Sequence, residues 1–502
     1  MKRFSSSLLF PCAIIWRHVF SKAGRGGFTK MITMLKILSD EQLEKLHSSA
    51  LSVLNSVGMR VTDDATLRIF RDHGAEVDEN AKSVKIPQHL VEEALKKAPK
   101  NVTLGARDKR HSVTLEEGRM FTRSSTGLTE VVDLETGFSR HGLSKDTADA
   151  SNLIEDLENV SINSTHIFPT DTPPQARDVH SFKIALENCG KHVVTSPLST
   201  TTLDCQKRIA SIFGEESDSR TPIFSSLVCS IAPLTMRDQV TVFCAREGIP
   251  AIVVSGPVVG VSSPITLAGT LVLQSAESLA TITLMQIVNA GAPAILGNKS
   301  APLDQRYVTP LSGVAEIGLL SAACIQVADF YGLPSEGFGL RTDSKTIDEQ
   351  SGVERVIVGL LPALAGARID SGAGSVEAIN TLSLEQLVID DEVYGMIHRL
   401  LRGIDFDEER LAINEIASVG SGGSFLGLRH TKNFYLSEFY QHKLFDKRTR
   451  MDWEAAGRKD IRERAREKTK KMLSEHKPIA EISSAARQRI AGIVKEAESA
   501  TT

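Results

Sequence analysis

Aromatic residues are scarce: Phe, Tyr and Trp make up 5% of the 502 residues, and the only tryptophans are Trp16 and Trp453. Cysteine is sparse too. The six stand at Cys12, Cys189, Cys205, Cys229, Cys244 and Cys324, with no CxxC pair among them. A disulfide framework or zinc ribbon is therefore not expected; scattered thiols in a long chain read as reduced core residues of a cytoplasmic protein. Net charge is only −4, which argues against a nucleic-acid partner. Past the N-terminal stretch no run of about 18 uninterrupted apolar residues occurs, so no membrane span is predicted. There is no HExxH and no close His pair, so no resident metal is expected, and no GxSxG elbow either. Gly297-Asn298-Lys299-Ser300 resembles the end of a phosphate loop but lacks the glycine five residues before the lysine.

The first residues mimic a leader. Lys2 and Arg3 precede an apolar run from Leu8 to Trp16, and Ser21-Lys22-Ala23 has the look of a cleavage site. Pro11 interrupts the run, and Arg17 and His18 close it early. Residues 1–33 are read as a non-native or disordered extension, with the start at Met31 or Met34.

What is present begins at Ser39-Asp40-Glu41-Gln42, a capping box followed by Leu43, Leu46, Ala50, Leu54 and Val57 at helical spacing and stopped by Gly58. Two further helices are predicted over 65–73 and 87–98. Residues 101–140 alternate between glycines and suit a small antiparallel hairpin region. After that, strand and helix alternate. Strands are predicted at 161–167, 192–196, 222–228, 251–255, 294–296, 334–339 and 367–370, with 120–124 as an eighth. Such a rhythm over roughly 250 residues predicts an α/β fold, a (β/α)8 TIM-type barrel with a helical N-terminal cap and a C-terminal helical extension. The expected divisions are 34–140 for cap and hairpins, 141–435 for the barrel, and 436–502 for a charged helical tail with a solvated face.

Polar clusters follow the predicted strands. Asn163 and His166 end one, Gly297-Asn298 another. Thr342-Asp343-Ser344-Lys345 and Asp348-Glu349-Gln350 follow a third, and Asp370-Ser371-Gly372 a fourth. In a parallel barrel these ends share one mouth, where active sites are built. Asp343 or Asp348 could equally cap the next helix. Glu316, early in an apolar helix, is either a helix-dipole partner or a buried carboxylate facing the mouth. Asp390-Asp391-Glu392 is a dense acidic run that could cap a surface or serve a site. His430 follows the glycine-rich turn Gly420-Ser421-Gly422-Gly423, and a lone histidine is more often a structural hydrogen-bonder.

Taken together, several stretches resemble the trimethylamine methyltransferase family. They are Pro264-Ile265-Thr266-Leu267-Ala268-Gly269-Thr270, Ala276-Glu277-Ser278-Leu279-Ala280, Gly291-Ala292-Pro293 leading to Gly297, and Thr342-Asp343-Ser344-Lys345 with Asp348 and Gln350. Glu385 to Glu392 and Gly422-Gly423-Ser424-Phe425-Leu426 with His430-Thr431 complete the set. The resemblance runs from about Leu38 to Trp453. It implies a barrel enzyme that takes a methyl group from a methylamine to Co(I) of a corrinoid carried on a cognate partner protein, a methanogenesis-related one-carbon reaction. The founding enzymes carry pyrrolysine in the barrel. The stretch between Pro334 and Asp343, where that residue is expected, here holds Glu336, Phe338, Leu340 and Arg341. This departure resembles the subgroup without pyrrolysine that uses quaternary amines such as glycine betaine.

A quaternary nitrogen leaves as a neutral tertiary amine, so no acid–base dyad is required and orientation carries the catalysis, worth up to about 7–11 kcal/mol in well-aligned cases. Phe338, Phe168 and Phe224 are the expected cage for the cationic head; Arg341, Lys345 and Asn298 are expected at the carboxylate. Asn163, His166, Glu316, Asp343, Asp348, Gln350, Asp390, Glu392 and His430 complete the candidate set. Two other readings stand beside it: a betaine-binding or regulatory barrel without turnover, and an unrelated barrel lyase or hydrolase. An assembly of several copies is compatible with all three.

Overall fold

The computed structural model describes residues 35–230 and 232–500; the expectations about residues 1–33 and Cys12 lie outside the described residues. Eight strands, β1 (Phe121–Ser124), β2 (Asn163–Ser164), β3 (Val193–Thr195), β4 (Phe224–Ser230), β5 (Ala251–Ser255), β6 (Ala294–Asn298), β7 (Ser335–Phe338) and β8 (Ile369–Ala373), form one parallel sheet. The order is β1-β8-β7-β6-β5-β4-β3-β2. A parallel bridge between Arg123 and Ile162, with Ile162 N donating to Thr122 O at 2.9 Å, brings β2 back to β1 and completes the ring.

Each strand is followed by a helix that covers its outer face: α1 (Ser144–Asp156), α2 (Arg177–Asn188), α3 (Thr200–Ser217), α4 (Asp238–Glu247), α5 (Leu267–Val288), α6 (Ala315–Phe330), α7 (Glu349–Leu364) and α8 (Leu384–Leu401). The strands are buried on both faces, which is why they read as short apolar runs without clean alternation. The fold is thus the expected (β/α)8 barrel. It begins at β1 and its last helix ends at Leu401, so the expected limits of 141 and 435 both move. The eighth strand expected at 120–124 is β1, Phe121–Ser124, so the stretch 101–140 holds a barrel strand as well as antiparallel hairpins.

Inside the ring Ile162, Val194, Leu227, Ile252, Val254, Ile295 and Ile369 pack with Val102, Leu104, Val113 and Leu115. The last four come from an antiparallel hairpin, Val102–Leu104 with Val113–Leu115, which lays an apolar floor at the end of the barrel away from the mouth. The N-terminal helix Asp40–Ser56 carries the full capping box at Ser39 and Gln42. Its Ala50 and Leu54 pack with Leu279, Ala280 and Leu284 of α5. That explains why α5 is apolar on all sides. It alone among the described helices is long and apolar enough to cross a membrane, and 78% of its apolar window is buried inside the protein, between barrel and cap.

In the tail, helix Ile461–Glu475 lies on the barrel with Ala465 and Thr469 buried and Arg466 Nε donating to Glu385 Oε1 at 2.7 Å. The final helix Ser484–Ser499 adds Ile490, Ile493 and Val494 to the outer core. The tail is charged because only one face of it packs.

Candidate active site at the barrel mouth

The sequence places an arginine in a four-residue strand, and the fold gives it a partner two strands away on the inside of the barrel. Arg123 Nε and Nη2 on β1 meet Glu336 Oε2 and Oε1 on β7 at 3.0 and 2.7 Å. The exposures are 0% and 1%, so the pair is cut off from water. Arg123 Nη1 donates to Ser124 O at 3.0 Å and Ser164 Oγ at 3.2 Å, which occupies its remaining fork. A buried charge survives only when paired and hydrogen-bonded in this way.

Past β7 the chain turns through Leu340, whose φ of +28° is left-handed and strained for a branched side chain. The turn aims Arg341 back into the barrel. Its Nη1 donates to Ser125 Oγ at 2.9 Å and Ser375 Oγ at 3.0 Å, and its guanidinium lies 4.5 Å from the centre of the Phe338 ring. Arg341 Nε is buried without a partner, and no carboxylate pairs with the side chain among the described residues. Burial and the charge of Arg123 lower its pKa to about 9.

Lys299 follows the last residue of β6. Half-buried, it too lacks a carboxylate partner among the described residues. Enclosure, then the charge of Arg123, lowers its pKa to about 8. The side of the barrel mouth formed after β6 and β7 thus carries two cationic side chains with no anion of their own.

Two neighbours do not supply one. Asp370 on β8 has both carboxyl oxygens buried without partners, and burial holds it far toward the neutral acid. A Cβ on Gly339 would fall 1.9 Å from its Oδ1, so glycine is required there by close approach. Glu277 on α5 accepts from Ser255 Oγ at 2.5 Å and Leu234 N at 2.8 Å, and burial raises it to about 7.

A second buried pair supports the loops from behind. Arg355 Nη1 on α7 donates to Asp390 Oδ2 on α8 at 2.8 Å and to Leu340 O at 2.8 Å; its Nη2 donates to Ser375 O. Asp390 also accepts from Gly374 N at 2.7 Å and Gln386 Nε2 at 2.8 Å. Asp390 and Arg355 therefore position the loops that present Arg341 and Ser375.

The other expected residues separate into two groups. His166 stays at the mouth, Nε2 3.0 Å from Ser124 Oγ and Nδ1 without a partner; burial lowers its pKa to about 3, so it is neutral. Asn298 Oδ1 accepts from Gln274 Nε2 at 2.5 Å and Ser300 N at 2.7 Å, leaving its Nδ2 free.

The remainder play other parts. Asn163 turns outward to Ser151 Oγ on α1, 3.2 Å away. Glu316 is exposed in the first turn of α6, the dipole position. Asp343 clamps Ser312 N and Gly313 N at 2.7 and 3.0 Å. Lys345 is exposed and bonded to Asp343 O, and Gln350 is exposed and bonded to Glu354. Asp348 is the N-cap of α7, accepting from Ser351 N at 2.9 Å. Glu392 receives Lys443 N and Phe445 N, tying the returning chain to α8. His430 bonds Glu409 O and lies tilted against Phe434, outside the barrel.

Of the expected cage, Phe224 opens β4 at the end away from the mouth and packs edge-on against Phe182 at 5.1 Å. One face of Phe338 is taken by Arg341, and Phe168 is half-buried beside the Gly127 turn. Sequence reasoning missed Arg123, Lys299 and Arg355. The available signal was a full charge inside, or directly after, an apolar strand or helix.

Apolar side chains are exposed on the loops around the mouth. Leu198, Val261, Ile265, Tyr307, Val308 and Ile379, on loops after β3, β5, β6 and β8, are all exposed. Among the described residues no three or more His, Cys, Asp and Glu side chains converge as metal ligands.

The family model described as trimethylamine methyltransferase (MTTB) matches residues 20–496. Trimethylamine methyltransferase MttB of Methanosarcina barkeri is 37% identical over 88% of this chain and 91% of its own. The protein of that name from Desulfitobacterium hafniense (strain DSM 10664 / DCB-2) is 33% identical over 88% and 90%. Glycine betaine methyltransferase of Desulfitobacterium hafniense (strain Y51) is 30% identical over 90% and 95%.

Proposed function

This chain belongs to the trimethylamine methyltransferase family, and on that premise we propose that it moves a methyl group from a methylated amine bearing an anionic group, of the glycine betaine kind, to a corrinoid carried by a separate protein. The observation that carries the anionic group is the pair of cationic side chains, Arg341 and Lys299, without carboxylate partners at the mouth. A buried guanidinium with an unpaired N–H is costly, and a carboxylate arriving with the substrate would pair it and the neighbouring half-buried ammonium at once. A bare methylammonium would instead meet two like charges.

The acceptor corrinoid supplies a Co(I) nucleophile. The protein's own share is orientation. Arg341 Nε, aimed by Ser125, Ser375 and the Phe338 ring, and Lys299 would hold the carboxylate and so fix where the ammonium head lies. The methyl–nitrogen bond breaks with its electron pair remaining on nitrogen, so a quaternary donor leaves as a neutral tertiary amine and no proton moves. The neutral His166 is compatible with that, since it is no acid near neutral pH. The exposed apolar rim is open to the acceptor protein. A cytoplasmic setting, where a reduced cobalt survives, fits the same reading.

Trimethylamine itself is the second reading, favoured by the 37% identity to an enzyme named for it. Calorimetry separates the two. Glycine betaine is expected to bind at least tenfold more tightly than tetramethylammonium, which has the same head and no carboxylate. Equal affinity, or tighter binding of trimethylamine, would remove the role given to Arg341 and Lys299.

A further inference from the structure

Residues 402–443 leave the end of α8 and return to it without burying a single residue among those described. They hold three short helices, Glu408–Leu411, Ile413–Val419 and Arg429–Glu438, joined by the glycine-rich turn at Gly420–Gly423. Helices this short are marginal in water when nothing covers them. Their apolar side chains face outward: Phe406 is 81% exposed, Leu426 86%, Leu436 68%, Phe439 66% and Ile413 65%. Among the described residues the segment is braced internally, near the end of α8, and where it rejoins the barrel through His442–Glu392 and Lys443–Glu158. His430 bonds Glu409 O, Arg410 lies over Phe434, and Glu438 pairs with Arg410 and Arg399 beside the end of α8.

Next to that root lies an apolar groove of about 390 Å³ between α7 and α8. Val356, Leu360, Val393, Met396, Leu400 and Phe445 line it. Val356, Met396 and Leu400 are each about two-fifths exposed.

We propose that residues 402–443 form an arm that seats in the α7/α8 groove of a second copy of this chain, each copy giving its arm to the other. Three observations select that occupant. An uncovered apolar arm and an uncovered apolar groove on one chain are complementary to a second copy by construction, and reciprocal exchange is the two-fold arrangement that closes. The outward apolar side chains of the arm amount to on the order of 1,000 Å², which exceeds the patch an ordinary monomer exposes and matches the roughly 800 Å² per partner of a stable interface. Barrel helices run against the strands, so the C-terminal end of α8 lies opposite the mouth. A methyl acceptor working at the mouth has no call on a surface rooted there. The arm also mixes Glu408, Glu409 and Glu415 with Arg410, Arg429 and Lys432, a two-signed pattern that suits protein better than a lipid surface.

Sedimentation velocity of the full chain at micromolar concentration tests this. The expected mass is at least twice the 54.5 kDa of one chain. Leu426→Asp on the arm and Met396→Asp in the groove, each with unchanged circular dichroism, are expected to raise the dissociation constant at least tenfold. Mixing the two variants is expected to restore association, because the mixed pair keeps one intact arm and one intact groove facing each other. A native monomer, an assembly indifferent to either substitution, or no recovery on mixing would overturn the proposal. A contact of arm against arm would leave Met396→Asp without effect and is thereby distinguished.

Discussion

Arg123 and Glu336 face each other through two parallel N–H···O contacts of 3.0 and 2.7 Å, although strand β8 separates the strands that carry them. The pair reaches over β8 on the inner face of the ring, and it sits between the apolar floor and the mouth. Both charges are out of water, so each stabilises the fold only while the other is there.

Removing one partner is therefore expected to cost more than removing both. Glu336→Leu strands a buried guanidinium and should lower unfolding free energy by about 3–5 kcal/mol. The Arg123→Met/Glu336→Leu double variant should recover most of that loss. Urea unfolding of the four members of the cycle checks it; a double variant less stable than either single one would show that the pair does more than balance its own charges.

Arg341 is expected to govern affinity for the anionic end of the substrate. Truncation to Ala removes a charged hydrogen bond, worth about 1.5–3 kcal/mol, so the dissociation constant for glycine betaine should rise by roughly 10- to 100-fold while that for tetramethylammonium stays the same. Calorimetry with both ligands reads this. A parallel loss for both would mean that Arg341 supports the mouth without touching the carboxylate.

Binding of the anionic ligand should also weaken as pH rises through about 8, where Lys299 loses its charge. Lys299→Arg keeps the charge and should flatten that part of the profile. The stability sign runs the other way: the folded pKa lies below the ordinary value of 10.5, so enclosing the charged amine costs stability below about 8, and that cost fades between about 8 and 10.5. A binding profile identical in native and Lys299→Arg proteins would remove Lys299 from the site.

Glu277 gives the fold its own pH dependence. Burial raises its folded pKa from 4.5 to about 7. The stabilisation by the neutral acid is fully present below about 4.5 and is lost as pH rises through 7, a change of at most about 3 kcal/mol. Glu277→Gln keeps both hydrogen-bonded neighbours and should remove the slope between those limits. Denaturant midpoints measured from pH 4.5 to 8 decide the matter, and an unchanged slope in the variant would place its origin elsewhere.

The barrel was legible because its strands are buried on both faces and glycine or proline punctuates them. Ala251–Ser255 and Ala294–Asn298 announce themselves as apolar runs. Asp348 was legible as a cap candidate from its place before α7, and the structure assigns it that part. The mouth was legible as a location, not as a set of contacts. Arg123 finds its partner 213 residues away, a separation that no local pattern encodes. Asp390 and Glu392 belong to an acidic run that could cap a surface or serve a site; both are buried, because Arg355 and the backbone of residues 443–445 come to meet them. Phe224 misled because a strand has two ends and the sequence does not say which one a ring at its first residue serves.

The central claim, methyl transfer from a carboxylate-bearing methylated amine to cobalt, is tested most directly by mixing the protein with Co(I) cobalamin and following conversion to methylcobalamin by absorbance. Glycine betaine is expected to support the conversion, tetramethylammonium and trimethylamine far less, and Arg341→Ala to abolish the preference. Conversion with trimethylamine and none with glycine betaine would contradict the account.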